Sequence, residues 1–426
     1  MDSVSQAALG GAIGHAVLGR RVGRKAAAWG AVCGTLPDLD VLVPMGHDVL
    51  DFTLHRSASH SLLVLPLVAP AVAWAVTRIH PDTRDYWRGW LLLALLALTT
   101  HPLLDSFTVY GTQLLWPLGF SPVTWSTVFI IDPLYTVPLL VGLGAALAWH
   151  RGTRQARRGN RWNAWGLALS SVYLVFALGA KLHVETRAHR DLAGQGLSPD
   201  RVLTVAAPFT TLLWRVVAVD DDRYYEGFYS LLDDGDRPQL FSPYPRRRHL
   251  LQSLEGRWDV EKLQWFTKGY WAAGQRGVDI YLVDLRMGFE PGYVFAFAVG
   301  VVQDGGVAPG DGRQLRLFEF DPSQLAWVWR RIWDAGETGG PLASLRLGQT
   351  QPPASGRLQS RCTVTGGARC SEPDPGGHSS RPPQPDLAPS PGPAVASSSL
   401  ALGRASVRGT QTTSLPSSAV AVPSLR

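Results

Sequence analysis

Cysteine and lysine are both scarce in this chain, and each scarcity excludes something. Three cysteines cannot make a disulfide framework. Cys33 lies in an apolar segment, where a small buried hydrophobe is expected, and Cys362 and Cys370 lack metal-type spacing. Nearly all the positive charge is arginine, and the net charge of +6 sits in short clusters beside apolar runs. That pattern belongs to membrane topology signals, so no nucleic-acid partner is expected. The N-terminus has no basic region ahead of a short apolar core and no evident cleavage site, so no removed signal peptide is expected. Aromatic residues are absent from about residue 342 onward, where Ser, Pro, Gly, Ala and Arg dominate. Residues 342–426 cannot bury enough apolar surface to offset their ordering entropy and are expected to be a disordered low-complexity tail.

What is present, above all, is a series of apolar segments in the first 182 residues. Residues 5–19 are rich in Ala and Gly and end in the cluster Arg20, Arg21, Arg24, Lys25. Residues 26–44 follow, apolar apart from Asp38 and Asp40, and their small residues suit close helix packing in lipid. A polar loop is expected over 45–60. Further segments cover 61–79, 89–104, 127–149 and 162–182, with tryptophans near their ends as in an aromatic belt. About 20 helical residues cross a bilayer, so the expected fold is a polytopic helical bundle of about four to six membrane segments.

Basic residues give the orientation. Arg151, Arg154, Arg157, Arg158 and Arg161 fill one short loop, Arg84 and Arg88 another, and the 20–25 cluster a third. Placing all three in the cytoplasm puts residues 45–60, 105–126 and everything after 183 outside. Asp38, Asp40, His55, His60, His101 and Asp105 then fall at the outer ends of their segments.

Residues 183–341 read as a small extracytoplasmic α+β domain with an antiparallel sheet. Runs such as 212–219, 280–286, 293–302 and 315–320 are strand-like, and 254–273 and 324–332 read as short helices.

The chemistry concentrates at the shared outer face. An intramembrane carboxylate costs about 2.5–3.5 kcal/mol on insertion scales, so Asp38 and Asp40 ask for partners; they are candidate oxygen ligands for a divalent cation. His55 and His60 would lie roughly 140° apart on one helix, and converge only if His55 is still in the loop, with Ser57 or Ser59 as N-cap of the helix that His60 begins. Between them, Arg56 is placed to clamp a phosphate or carboxylate. His101 and Asp105 stand at i and i+4, one helix face, a spacing that presents two ligands to one ion. Pro102 predicts a kink or a helix restart at that point. Asp132, followed by Pro133, is expected about one turn inside its span as support for the site or a ligand. The polar stretch Thr108 to Gln113 is a candidate cleft lining, Gln6 a hydrogen-bond partner of a metal-bound water, and His15 a more distant candidate.

Together Asp2 to Gln6, Pro37-Asp38-Leu39-Asp40, His55 to Leu62, His101-Pro102-Leu103-Leu104-Asp105 and Tyr110 to Pro117 resemble the YdjM-like family of membrane-bound, metal-dependent hydrolases. The resemblance covers residues 1–180 well and 181–340 loosely. That family is distantly similar to zinc-dependent phospholipase C and the fungal single-strand nucleases. By that similarity His101 and Asp105 would be ligands, with Asp38, Asp40, His55 and His60 completing the set. This chain departs from many members in having Gln6 where they have histidine.

The expectation is therefore an inner (plasma) membrane protein with an outward-facing divalent metal site, zinc first among the candidates. A metal-activated water would attack an ester, chiefly a phosphoester of a lipid or envelope component, with His55, Arg56 and Asp132 in catalytic roles. The alternative is a non-catalytic membrane protein whose ion site serves structure or transport.

Overall fold

The apolar segments form helices that meet at one end, and the sheet-bearing part is seated there. A computed structural model describes residues 1–149, 154–235, 238–303, 305–317 and 322–336, all within the compact unit Met1–Gly356. The expected tail lies outside the described residues.

Helix α1 (Ser3–Val22) starts at Asp2, whose carboxylate accepts from the N–H groups of Val4 and Ser5. It packs along α2 (Arg24–Thr35) through small residues. A Cβ on Gly30 would come within 2.2 Å of the Gly10 carbonyl, so only glycine permits this approach. The apolar run after α2 does not continue as a span; it tightens into a 3₁₀ turn, Leu36–Leu42. The expected polar loop contains a short helix, α3 (Asp48–Leu54), and a 3₁₀ turn at Ala58–His60. Helices α4 (Leu65–Ile79) and α5 (Trp87–Asp105) follow. Pro102 causes no restart: α5 continues through it to Asp105. Helix α6 (Pro133–Ala148) begins just after its cap Asp132 rather than at Thr127, with proline at its first position. Helix α7 runs 39 residues, Ala156–Gly194.

Fewer helices cross a bilayer by length and apolarity than the expected four to six. Helix α7 qualifies, and the pair 48–60 and 65–79, bent by 66°, makes a second if counted as one span. For α4 and α6 the physical reason is length: they have 15 and 16 residues, about 22–24 Å at 1.5 Å per residue against a hydrocarbon core of about 30 Å. Helices α1 and α5, with 20 and 19 residues, are long enough but not apolar enough. Helices α4, α6 and α7 still carry exposed apolar flanks, among them Leu67, Trp74, Val137, Val141, Val172 and Val175.

The expected boundary at 182–183 falls inside α7, whose last turns pack Val184, Ala188 and Leu192 against Trp214 and Val216 of the first sheet. That sheet is antiparallel, in the order β1 (Arg201–Ala206), β2 (Leu213–Val219), β3 (Arg223–Ser230), β4 (Ser242–Pro245). The expected helix over 254–273 is shorter, as α8 (Trp258–Phe266). A second antiparallel sheet contains β5 (Trp271–Arg276) and β6 (Asp279–Asp284). A two-stranded ribbon follows, β7 (Gly288–Phe289) with β8 (Gly292–Tyr293). Strand β9 (Ala296–Gln303) then pairs with β6, β10 (Gly306–Pro309) and β11 (Gln314–Leu315). Helix α9 (Pro322–Trp333) closes the described part.

The two parts share a core. Val49 and Phe52 of α3 are buried with Leu263, Phe266 and Phe297, and Arg286 donates to the Tyr110 carbonyl at 3.0 Å. The sheet-bearing part is thereby held against the loops at the end of the bundle where Asp38, His60, His101 and Asp105 gather.

Candidate metal centre

Four side chains from three separate stretches converge. Asp38 comes from the 3₁₀ turn after α2, His60 from the turn before α4, and His101 and Asp105 from the last turn and a half of α5. One ligand atom from each lies within 4.8 Å of every other. His101 and Asp105 share a face because they are four residues apart on a continuous helix.

The hydrogen bonds behind the imidazoles fix which nitrogens face inward. His101 Nδ1 lies 2.6 Å from the Gly34 carbonyl, which can only accept, so Nδ1 carries the proton. Ser59 Oγ donates to Asp40 Oδ2 at 2.6 Å and lies 2.8 Å from His60 Nδ1. Its single proton is used on Asp40, so it accepts from His60 Nδ1. In the neutral rings both Nε2 atoms then present bare lone pairs, and they face each other 3.0 Å apart. The carboxylates add to the same point: Asp105 Oδ2 lies 3.2 Å from His60 Nε2 and 3.4 Å from His101 Nε2. Asp38 Oδ1 lies 3.5 and 3.4 Å from the same atoms. Asp105 Oδ2 is buried with no hydrogen-bond partner, an arrangement that costs about 1–3 kcal/mol or more for a charged group. Four electron-pair donors directed at one point repel one another unless a cation sits between them. Two imidazoles and two carboxylates suit zinc and related divalent ions.

Asp40 does not join this group. In a 3₁₀ turn two residues apart point in different directions, so Asp38 faces the histidines while Asp40 faces the 55–60 loop. Asp40 accepts from His55 Nδ1 at 2.9 Å, from the Arg56 N–H at 3.1 Å and from Ser59. Burial pushes its carboxyl up, but the bonds from His55 and Ser59 outweigh that and hold it at about 2. Asp40 thus organises the loop and, through Ser59, orients His60. No side-chain cap from Ser57 is made.

His55 follows the last turn of α3; it is bonded to Asp40, and its ring lies 5.9 Å from that of His60. Arg56 adopts a left-handed conformation, φ +64°, which costs a bulky residue about 1–3 kcal/mol. Its N–H to Asp40 and its carbonyl, accepting from Gln113 N at 3.0 Å, hold that geometry. The buried guanidinium stacks over Tyr110 at 5.1 Å, donates to Thr108 Oγ1 at 3.3 Å, and brings Nε to 3.4 Å from Asp105 Oδ2.

Asp132 caps α6, accepting from Leu134 N and the Tyr173 hydroxyl, and is not one of the four. His15 pairs with Asn160 instead. Gln6 lies behind Asp105, donating to its Oδ1 at 3.0 Å and to the His101 carbonyl; the Met1 amino group also donates to Asp105 Oδ1. Of the polar stretch 108–113, Thr108 and Tyr110 contact Arg56, whereas Gln113 donates to the Thr53 carbonyl. Two groups were not read from sequence as orienting ones: Ser59 was expected as an N-cap and instead bridges Asp40 and His60, and the Gly34 carbonyl is signalled by nothing at all.

Residues 1–184 match the model of the family described as YdjM inner membrane protein. The YdjM-like resemblance therefore holds over the helical part that carries these four groups, in an inner membrane family. A curated relative, the uncharacterized protein YfhP of Bacillus subtilis (strain 168), is 24% identical over 211 residues. That match covers 47% of this chain and 59% of YfhP, so the chain spans little more than half of the relative's length. No solved structure matches.

Proposed function

We propose that the chain is an inner membrane, metal-dependent hydrolase that cleaves an ester, chiefly a phosphoester, at the outer membrane face. One observation carries the reading: His60 and His101 bring their Nε2 atoms to 3.0 Å of each other beside Asp38 and an Asp105 oxygen that accepts no hydrogen bond among the described residues. Four ligand atoms this close hold one ion. A divalent cation in that position supplies Lewis acidity and activates water near neutral pH. Asp38, His60, His101 and Asp105 would hold it. Gly34, Ser59, Asp40 and Gln6 orient those ligands, and Arg56 binds an anionic substrate group. His55, held by Asp40 and partly exposed, is placed to move a proton. The multi-pass arrangement and the extracytoplasmic position of the sheet-bearing part follow from the arginine clusters of the sequence.

A second reading is favoured by burial. His60, His101 and Asp105 are fully buried, as in a closed structural or transport-related ion site. Asp38, 21% exposed, is the open side on which the two readings differ. The test is a panel of phosphomonoesters, phosphodiesters and carboxylic esters on metal-loaded wild type and His101→Ala. Turnover lost in the variant supports hydrolysis, and metal content without turnover on any ester supports the closed site.

A further inference from the structure

A cavity of about 1090 Å³ lies between the bundle end and the sheet-bearing part, at the top of the range of small-molecule sites. Its walls are apolar: Ala207, Leu213, Phe228, Phe289 and Trp327 line it and are buried. At another part of its lining Val41, Leu42, Val43, Ile130 and Ile131 are large, apolar and exposed, a patch that suits lipid better than water. The charges along the cavity are mostly matched within the protein. Arg286 is paired with Asp284, Arg215 with Glu226, and Asp40 with His55, while Asp48 and Asp51 accept from the N–H groups of Gln314 and Met45. Arg56 is held more loosely: it lines the cavity, is 4% exposed, stands 3.4 Å from Asp105, and its Nε makes no hydrogen bond among the described residues.

An apolar chamber with an apolar mouth and one under-used guanidinium fits a long-chain amphiphile with a single anionic group. We propose that the cavity takes up a membrane phospholipid, its acyl chain along the Ala207–Trp327 walls and its phosphate on Arg56. Arg56 also approaches Asp105, so this position sets the headgroup ester beside the four-ligand cluster. Calling that lipid the substrate rests on the hydrolase reading; the binding site itself does not.

The test uses the full chain in nanodiscs of phosphatidylglycerol and phosphatidylethanolamine, doped with a phosphatidylglycerol carrying a diazirine at the acyl end. After illumination, adducts are mapped by peptide mass spectrometry. Adducts are expected in residues 205–213, 287–295 and 322–333, falling about tenfold in Leu325→Asp and in Ala207→Phe. Labelling confined to the outer faces of α4, α6 and α7, or unchanged in both variants, overturns the proposal. A diacylglycerol diazirine probe is expected to label the cavity more weakly than the phospholipid in wild type and equally in Arg56→Ala. Equal labelling in wild type overturns the role of Arg56, and displacement by glycerol phosphate alone overturns the role of the chain. Chelator-treated wild type is expected to keep cavity labelling. If it does so while the metal-loaded protein turns over no ester, the hydrolase reading fails and the lipid site stands.

Discussion

His60 and His101 are separated by 41 residues, yet their Nε2 atoms stand 3.0 Å apart, closer than either stands to a carboxylate of the cluster. Each ring is held from behind by a group outside the cluster, the Gly34 carbonyl for one and the Ser59 hydroxyl for the other. Those rear contacts turn both Nε2 atoms toward the carboxylates.

Removing a rear contact should weaken metal binding without removing a ligand. Ser59→Ala is expected to lower metal affinity about 10–100-fold, and Ser59→Thr to restore most of it. Competition titration against a chelator of known affinity measures both. Equal affinity in wild type and Ser59→Ala would remove Ser59 from the account.

Asp40 makes the loop acid-sensitive. Its folded value, about 2, lies below the ordinary carboxylate value of 3.8. Its contribution to stability is therefore fully present above pH 4 and is lost as pH falls through 2. Asp40→Asn is expected to destabilise the protein by about 1–3 kcal/mol at pH 7, and by much less near pH 2. Thermal unfolding in detergent across that range shows whether the two curves converge.

Metal affinity should fall on the acid side for a different reason, since imidazole must be unprotonated to bind. Titration with zinc at pH 7.5 and pH 5.5 is expected to give markedly weaker binding at the lower value. A pH-independent affinity would mean that His60 and His101 are not ligands.

Asp132 and Gly30 separate fold from site. Asp132→Ala removes the cap of α6 and should cost about 1 kcal/mol while leaving metal content unchanged. In Gly30→Ala, by contrast, the new Cβ would meet the Gly10 carbonyl at 2.2 Å. The α1–α2 pair must then spread, at about 1–3 kcal/mol or more, and α2 carries the Gly34 carbonyl that holds His101. Gly30→Ala should therefore lose stability and metal affinity together, as unfolding and metal titration on one preparation can show.

Part of the convergence was legible: arginine clusters on alternate loops led to the expectation that Asp38, His60, His101 and Asp105 share one end of their segments, and the structure brings the four together. The i, i+4 spacing of His101 and Asp105 was equally readable, and α5 runs through Pro102 without the expected restart. Other features were not legible. The divergence of Asp38 from Asp40 depends on a 3₁₀ turn that an apolar run does not announce. The placement of Asp132 at a cap depends on where α6 starts, and α7 hides the boundary by running from the bundle into the first sheet. The cavity and the Phe52 contacts join residues more than 200 positions apart in sequence, which no local pattern encodes.

The central claim is that the facing imidazoles hold a divalent ion, and elemental analysis of the purified protein tests it most directly. Wild type, loaded with zinc and desalted, is expected to retain about one ion per chain, and the folded His60→Ala/His101→Ala variant to retain none. Wild type holding no more metal than that double variant would contradict the account.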